Sequence, residues 1–232
     1  MGDTHSLSGA TAVTEDGAVN IHSEESVRVA ELVQQLDEAG ITKTVGMWSS
    51  GWFASFAEDE IVTLPSAAWM DGTLRAELPD TAGDWGVYRL PAFEEGGNRA
   101  SNRGGSNLAI PAQIDDEGVV NRAWDFALFA MTDPDVQNYM LREYGLFPSL
   151  KSAYGADIYD EPQDFYDGQA IYGFFADVAE NIEPYRYNEI QTEINNAIST
   201  ELENLRNGNK GPEQAMQDAA ETVASRTDRE LA

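Results

Sequence analysis

The segment from residue 86 to residue 148 constrains the fold of this chain most strongly. An apolar run ends at Pro91, a polar stretch rich in glycine and asparagine follows, and a second short apolar run occupies residues 107–110. Two amphipathic stretches come next, and Asp133 and Pro134 are predicted to be the N-cap and the first residue of the second helix, which ends at Gly145. Short strands interleaved with helices favour α/β packing over a pure helical bundle.

The rest of the chain is predicted to be rich in helix. Strands are predicted at residues 61–64, 85–90 and 107–110, where apolar runs are short and bounded by turn residues. A helix is predicted to begin after Ser23 and to end at Gly40, and three helices are predicted after Gly168, the last of them opened by Pro212. Because helix outweighs strand, a helical domain with an incidental hairpin remains an alternative.

Acidic side chains outnumber basic ones, with 41 Asp and Glu against 14 Lys and Arg, so the formal net charge is −27. A surface of this sign repels nucleic acid and anionic membranes, and no nucleic-acid partner is predicted. The chain is nevertheless 42% hydrophobic, which is enough to build a core. Lysine is scarce, with only Lys43, Lys151 and Lys210, while acidic residues are abundant, and this combination resembles proteins of extreme halophiles. In molar salt the Debye length falls to about 3 Å, which screens the repulsion between the acidic side chains.

Several chemistries are not predicted for this sequence. It has no cysteine, which excludes disulfides and thiolate metal sites. The acidic runs 115–117 and 159–161 lack the spacing of a calcium loop, so we predict no metal and no cofactor. No run approaches the roughly 20 apolar residues of a membrane span, and the first ten residues do not resemble a secretion signal. These two features alone would indicate a cytoplasmic protein.

Three landmarks, in order, resemble one protein family. Residues 52–72 resemble an aromatic helix, a strand and a tryptophan loop; residues 104–110 resemble a G-G-x-x-x-x-I crossing; residues 123–148 resemble an A-W-x-F helix, a second helix opened by Pro, and a G-x-x-P loop. This pattern is similar to that of the extracellular solute-binding proteins of ABC importers, sugar-binding family 1 type.

The resemblance implies an α/β, helix-rich fold of the periplasmic-binding-protein-like type II, comprising mostly the second lobe and part of the first. Residues 1–91 would be a second-lobe segment, residues 92–148 the hinge crossing and a first-lobe segment, and residues 149–232 the C-terminal helices returning to the second lobe. Family members are usually nearly twice as long, so the chain resembles their C-terminal portion. The resemblance further implies an extracellular or cell-surface location, with membrane attachment through an N-terminal region that this sequence lacks.

Loss of first-lobe partners would expose an apolar helix pair, from which we expect self-association of the isolated chain. The side chains expected to lack partners are Trp124, Phe126, Leu128, Phe129 and Met131. Periodicity by itself instead predicts that Trp48, Trp52, Trp85 and Trp124 belong to the core.

Sugars bind with an apolar ring face on an aromatic side chain and with their hydroxyls on fixed donors and acceptors. Trp69 with Asp71 provides such a pair. The residues alone favour a packed aromatic beside a strand end, whereas the resemblance favours a place for Trp69 in the cleft. Gly104 and Gly105 would let the main chain approach a ligand, or they could form an ordinary turn. The full set of predicted ligand-binding residues is Trp69, Asp71, Gly104, Gly105, Ser106, Asn107, Phe147, Tyr185 and Tyr187.

The predicted function is capture of a small solute in a cleft between two lobes, for delivery to the membrane permease of an ABC importer. The solute favoured is a neutral carbohydrate. No catalytic residue is predicted. A glycoside hydrolase is the alternative, because tryptophans and a pair of carboxylates about 5 to 9.5 Å apart also make such sites. An interaction module that presents the exposed helix pair to another protein is the third possibility.

Overall fold

A computed structural model describes residues 10–183 and 188–232. Within those residues it contains eight α-helices joined by loops and short 3-10 turns. They are α1 (Glu24–Glu38), α2 (Ser50–Ala57), α3 (Met70–Glu77), α4 (Glu117–Thr132), α5 (Pro134–Tyr144), α6 (Ile171–Glu180), α7 (Gln191–Arg206) and α8 (Pro212–Thr227).

The chain divides into two compact units. The first unit comprises the described residues of 1–44, 90–102 and 182–232, and the second unit comprises residues 45–89 and 103–181. The lobe boundaries that the resemblance implies, after residues 91 and 148, stay a prediction.

The first unit is a helical assembly of α1, α7 and α8. Its core contains Ile194, Leu202, Met216 and Val223, which recur at helical spacing on facing sides of α7 and α8. The fully buried Val19 forms isolated bridges with Val13 and Leu231, so the two ends of this unit meet there. Ser23 accepts a hydrogen bond from the backbone N–H of Ser26 and caps α1 as predicted.

The second unit packs α2, α3, α5 and α6 around an aromatic core. Trp52, Phe56, Leu141, Ile171 and Tyr172 are buried in it. Asp133 caps α5, with Pro134 as its first residue, and Gly145 ends it in the left-handed conformation at φ +66°, which confirms both predicted helix ends.

The prediction of three strands is wrong. In the described residues only isolated bridges occur, and residues 61–64, 85–90 and 107–110 belong to no ladder. A strand needs a neighbouring backbone to satisfy its N–H and C=O groups. At Val87 the side-chain amide of Gln169 takes that place, accepting from the Val87 N–H at 2.8 Å and donating to the Val87 carbonyl at 2.7 Å.

Helix α4 presents apolar side chains to solvent. Trp124 is 56%, Phe126 63% and Phe129 57% exposed, and Leu128 is exposed as well, whereas Met131 is half-buried. The core position that periodicity predicts for Trp124 is therefore wrong. The periodicity of α4 is real, but nothing described in this chain packs over most of its apolar residues.

Candidate functional site

Trp69 lies directly before α3 and is held in place by residues 103–107, which we name the glycine-rich segment. Its indole Nε1–H donates to the Arg103 carbonyl at 2.8 Å. A Cβ atom built on Gly104 would lie 3.5 Å from the same Nε1, so the indole rests against this glycine. The structure thus brings together Trp69 and Gly104, two of the predicted site residues.

A group of aromatic rings surrounds Trp69, and we name it the tryptophan cluster: Trp48, Trp52, Phe53 and Trp69. The Trp48 ring centroid lies 5.9 Å from that of Trp69 and 5.2 Å from that of Trp52. Trp52 is buried, as predicted, and Trp69 is half-buried. Trp48 is 50% exposed, so the prediction that it belongs to the core is wrong.

Arg103 connects the cluster to its surroundings. Its guanidinium donates to the Pro65 carbonyl at 3.0 Å and lies 4.0 Å from the sulfur of Met47, while its own carbonyl receives the Trp69 indole. The first residue of the glycine-rich segment therefore contacts both stretches of chain that carry the tryptophans.

The glycine-rich segment is exposed to solvent after Arg103. Gly104 at φ +85° and Gly105 at φ +111° adopt backbone conformations that only glycine enters without strain. Ser106 and Asn107 are exposed. Two exposed side chains that can donate and accept hydrogen bonds thus follow the two glycines in the chain.

Asp71 lies two residues from Trp69 but serves a different set of contacts. It is only 3% exposed. Its Oδ1 accepts from Nε of Arg75 at 2.6 Å, and its Oδ2 accepts from the hydroxyl of Tyr172 at 2.8 Å. Arg75 also donates to Gln163 Oε1 at 3.1 Å. Both carboxylate oxygens are therefore engaged inside the protein, as a buried charge requires.

The surroundings of Asp71 change the pKa values of the neighbouring tyrosines. Burial raises the pKa of Tyr166 and of Tyr172 far above the ordinary value, and the negative charge of Asp71 raises both further. Both phenols therefore stay protonated, and that of Tyr172 donates to Asp71. Burial likewise raises the pKa of Tyr159.

A cavity of about 530 Å³ opens beside this network, within the second unit. Four of its five charged lining groups are paired with one another, Asp71 with Arg75 and Arg142 with Glu161, and the fifth is Glu143. Since those four groups already have partners in the chain, the tryptophan cluster is the stronger candidate for ligand contact.

Helices α3 and α5 touch at two glycines. A Cβ atom on Gly72 would lie 2.7 Å from the Tyr144 carbonyl oxygen, and one on Gly145 would lie 2.7 Å from Cα of Gly72. Phe147, just beyond Gly145, packs its ring against Tyr154, Tyr159 and Phe175 at centroid distances of 5.6, 6.3 and 6.0 Å. It is half-buried in this aromatic group.

The ligand-binding roles of the nine predicted residues stay predictions. Tyr185 and Tyr187 lie outside the described residues. Sequence reasoning missed the exposed Trp48 and the partners of Asp71. The signal for Trp48 was present: Ser49 is a typical N-cap, so the residue before it lies outside the helix.

Neither a metal-binding group of side chains nor a membrane-spanning helix occurs among the described residues. Among residues 10–183 and 188–232, no group of three or more His, Asp or Glu side chains could hold a metal ion. In the same part of the chain, every helix is too short or too polar to cross a membrane.

Comparison with known proteins gives consistent matches. Residues 2–165 match the sequence model of a family described as bacterial extracellular solute-binding protein. An arabinooligosaccharide-binding protein of Halalkalibacterium halodurans is 24% identical over 93% of this chain and 49% of its own length. A lactose-binding protein of Rhizobium radiobacter is 27% identical over 84% of this chain and 46% of its own length. The chain thus spans about half the length of the curated relatives it matches.

Solved structures match over nearly the whole chain. An ABC transporter associated binding protein from B. animalis subsp. lactis, in complex with beta-1,6-galactobiose, superimposes with a TM-score of 0.80 at 22% identity, covering 97% of this chain and 58% of that one. A maltose/maltodextrin-binding domain from Bdellovibrio bacteriovorus, bound to maltotriose, gives a TM-score of 0.71 at 17% identity, covering 96% of this chain and 55% of that one. These likenesses confirm the predicted periplasmic-binding-protein-like fold.

Proposed function

Because the chain belongs to the family of bacterial extracellular solute-binding proteins, we propose that its second unit carries part of a binding site for a neutral carbohydrate. The observation that carries this proposal is the tryptophan cluster: Trp69 is fixed by its bond to the Arg103 carbonyl beside a glycine-rich, solvent-exposed segment. A rigid aromatic face next to exposed hydroxyl and amide groups is the combination that a sugar requires.

A neutral ligand fits the charges of the chain. The formal net charge of −27 disfavours anionic solutes, which would be repelled on approach. The guanidinium of Arg103, the residue whose carbonyl holds Trp69, is bonded to the Pro65 carbonyl, which reduces its capacity for bidentate binding of a carboxylate or phosphate. The relatives with arabinooligosaccharide and lactose in their names support the same ligand class.

We further propose that the protein captures its solute outside the cell membrane and delivers it to the permease of an ABC importer without chemical turnover. Family membership supports this role and location. A hydrolase would release reducing sugar from an oligosaccharide, so incubating the chain with arabinotriose and measuring reducing ends tests the absence of turnover.

Binding is best measured by nuclear magnetic resonance, because a partial site is expected to bind weakly. The indole N–H resonances of the tryptophans are followed while arabinotriose or lactose is added at millimolar concentrations. We expect the Trp69 resonance to shift and to saturate, and we expect Trp69→Ala to raise the Kd at least about tenfold, as loss of an aromatic contact at the centre of a site does.

Trp124→Ala is the matched control, since it removes another indole of the same unit, on the exposed face of α4. It should leave the Kd unchanged. The proposal is wrong if neither sugar shifts the Trp69 resonance, or if both variants weaken binding equally.

A further inference from the structure

Trp48 lies in a turn that is built before α2 begins. The backbone N–H of Ser49 donates to the Gly46 carbonyl at 3.2 Å, and its hydroxyl donates to the same carbonyl at 2.6 Å. The Ser49 oxygen also accepts from the backbone N–H of Trp52 at 3.2 Å. These bonds fix residues 46–49 as a four-residue turn joined firmly to the helix.

Trp48 occupies the position of this turn that ordinarily belongs to glycine. Its φ is +65°, in the left-handed region, where a bulky side chain is a genuine outlier. Backbone strain of this kind persists where the surrounding structure enforces it, and it concentrates at ligand-contacting sites. The conformation determines the direction of the Cα–Cβ bond and so directs the indole toward Trp69.

The exposed faces favour Trp48 as the outer ring of the cluster. Trp48 keeps half of its surface in solvent, whereas Trp69 is half-buried and Trp52 is 3% exposed. Its ring is tilted by 36° to that of Trp69 at a centroid distance of 5.9 Å. The two indoles are therefore immediate neighbours, and each keeps part of its surface in solvent.

We propose that Trp48 is a second sugar-stacking residue, which contacts the unit of an oligosaccharide next to the one on Trp69. The inference rests on the proposed function and narrows its ligand class from a carbohydrate to one of at least two units. A monosaccharide would gain little from Trp48, because a single ring can occupy only one of the two indole faces.

Two variants separate ligand contact from a structural role. Trp48→Gly removes the ring, which loses its contacts with Trp52 and Phe53, and relieves the positive φ; because these effects oppose each other, its melting temperature should stay close to that of the parent chain. Trp48→Leu keeps an apolar side chain against Trp52 and Phe53 but lacks a flat face. Both variants should raise the Kd for arabinotriose about fivefold to tenfold and leave the Kd for arabinose unchanged.

The outcomes distinguish this inference from the function on which it rests. If both variants bind arabinotriose like the parent chain while Trp69→Ala loses binding, the function stands and the role of Trp48 is refuted. The role of Trp48 is also refuted if Trp48→Gly melts at a lower temperature and Trp48→Leu binds normally, because the ring would then only cover the core. If the parent chain binds none of these sugars, both proposals fail.

Discussion

Gly72→Ala is the substitution for which the structure gives the clearest quantitative expectation. Gly72 lies in the first turn of α3, where it meets the end of α5. An added Cβ would lie 2.7 Å from the Tyr144 carbonyl oxygen, 3.3 Å from its carbon and 3.4 Å from Cα of Gly145. All three are backbone atoms, so no flexible side chain can move aside.

Two opposing effects set the magnitude. Replacing glycine by alanine within a helix stabilises by up to about 0.5–1 kcal/mol. Overpacking by one methyl group costs about 1–3 kcal/mol when the surrounding structure cannot relax. We therefore expect a net loss of about 1–2 kcal/mol, which lowers the melting temperature of a chain of this size by about 2–8 °C.

Gly51→Ala is the matched control. Gly51 also lies in the first turn of an eight-residue helix of the same unit, but its Cβ would meet only the Ser49 hydroxyl, at 3.9 Å. This variant should gain up to about 0.5–1 kcal/mol. The same substitution is thus predicted to have opposite signs at two positions.

The assay is urea unfolding followed by circular dichroism and by tryptophan fluorescence, together with the position of the Trp69 indole resonance. Since Trp69 immediately precedes α3, displacement of this helix in Gly72→Ala should move that resonance, whereas Gly51→Ala should leave it in place. Equal stability changes in the two variants would refute the reasoning, because helix propensity alone would then explain both.

Four further predictions follow from the charges and the exposed surfaces. Asp71→Asn should cost about 1–3 kcal/mol in urea unfolding, less than a fully buried pair, because about a third of the Arg75 side chain is in solvent. Since folding raises the pKa of Tyr172, stability should be intact below pH 10 and decline above it, and Tyr172→Phe should reduce that decline in urea midpoints measured from about pH 9 to 11. Light scattering should show self-association of the chain, reduced by the double change Phe126→Gln and Phe129→Gln; a monodisperse parent chain would contradict this. Molar KCl should raise the melting temperature by about 2–4 °C for each kcal/mol of repulsion between acidic side chains that it screens. An unchanged melting temperature would refute the interpretation that the chain is adapted to high salt.

The helix ends were predictable from sequence because their causes are local. Ser23 bonds to an N–H three residues away, Asp133 bonds to the N–H groups of the next turn, and Gly145 supplies the positive φ that ends α5. Each of these features needs only the residues that adjoin it.

The strands and the surroundings of Asp71 were not predictable, because their partners are distant in sequence. An apolar run such as 61–64 becomes a strand only if another segment pairs with it along its length. In the described residues it forms no bridge, and the Ile61 N–H instead donates to the Ser55 carbonyl at the end of α2. The Tyr172 hydroxyl reaches Asp71 across 101 positions. The prediction that Trp48 belongs to the core was wrong for another reason. Its spacing of four from Trp52 fits a helix, but the helix begins only after its N-cap, Ser49, so Trp48 lies outside it.

The bond between the Trp69 indole and the Arg103 carbonyl determines what kind of recognition the cluster can provide. With its only donor engaged inside the protein, Trp69 can offer a ligand only its ring. Hydrogen-bonding specificity must then come from other groups, and Ser106 and Asn107 are exposed just beyond Gly104 and Gly105. Under the proposed function, rigid rings would select for a sugar face and the glycine-rich segment would select among hydroxyl patterns. The two contributions are separable, because a change at residue 106 or 107 should alter which sugar is preferred, whereas a change at Trp69 should weaken all of them alike.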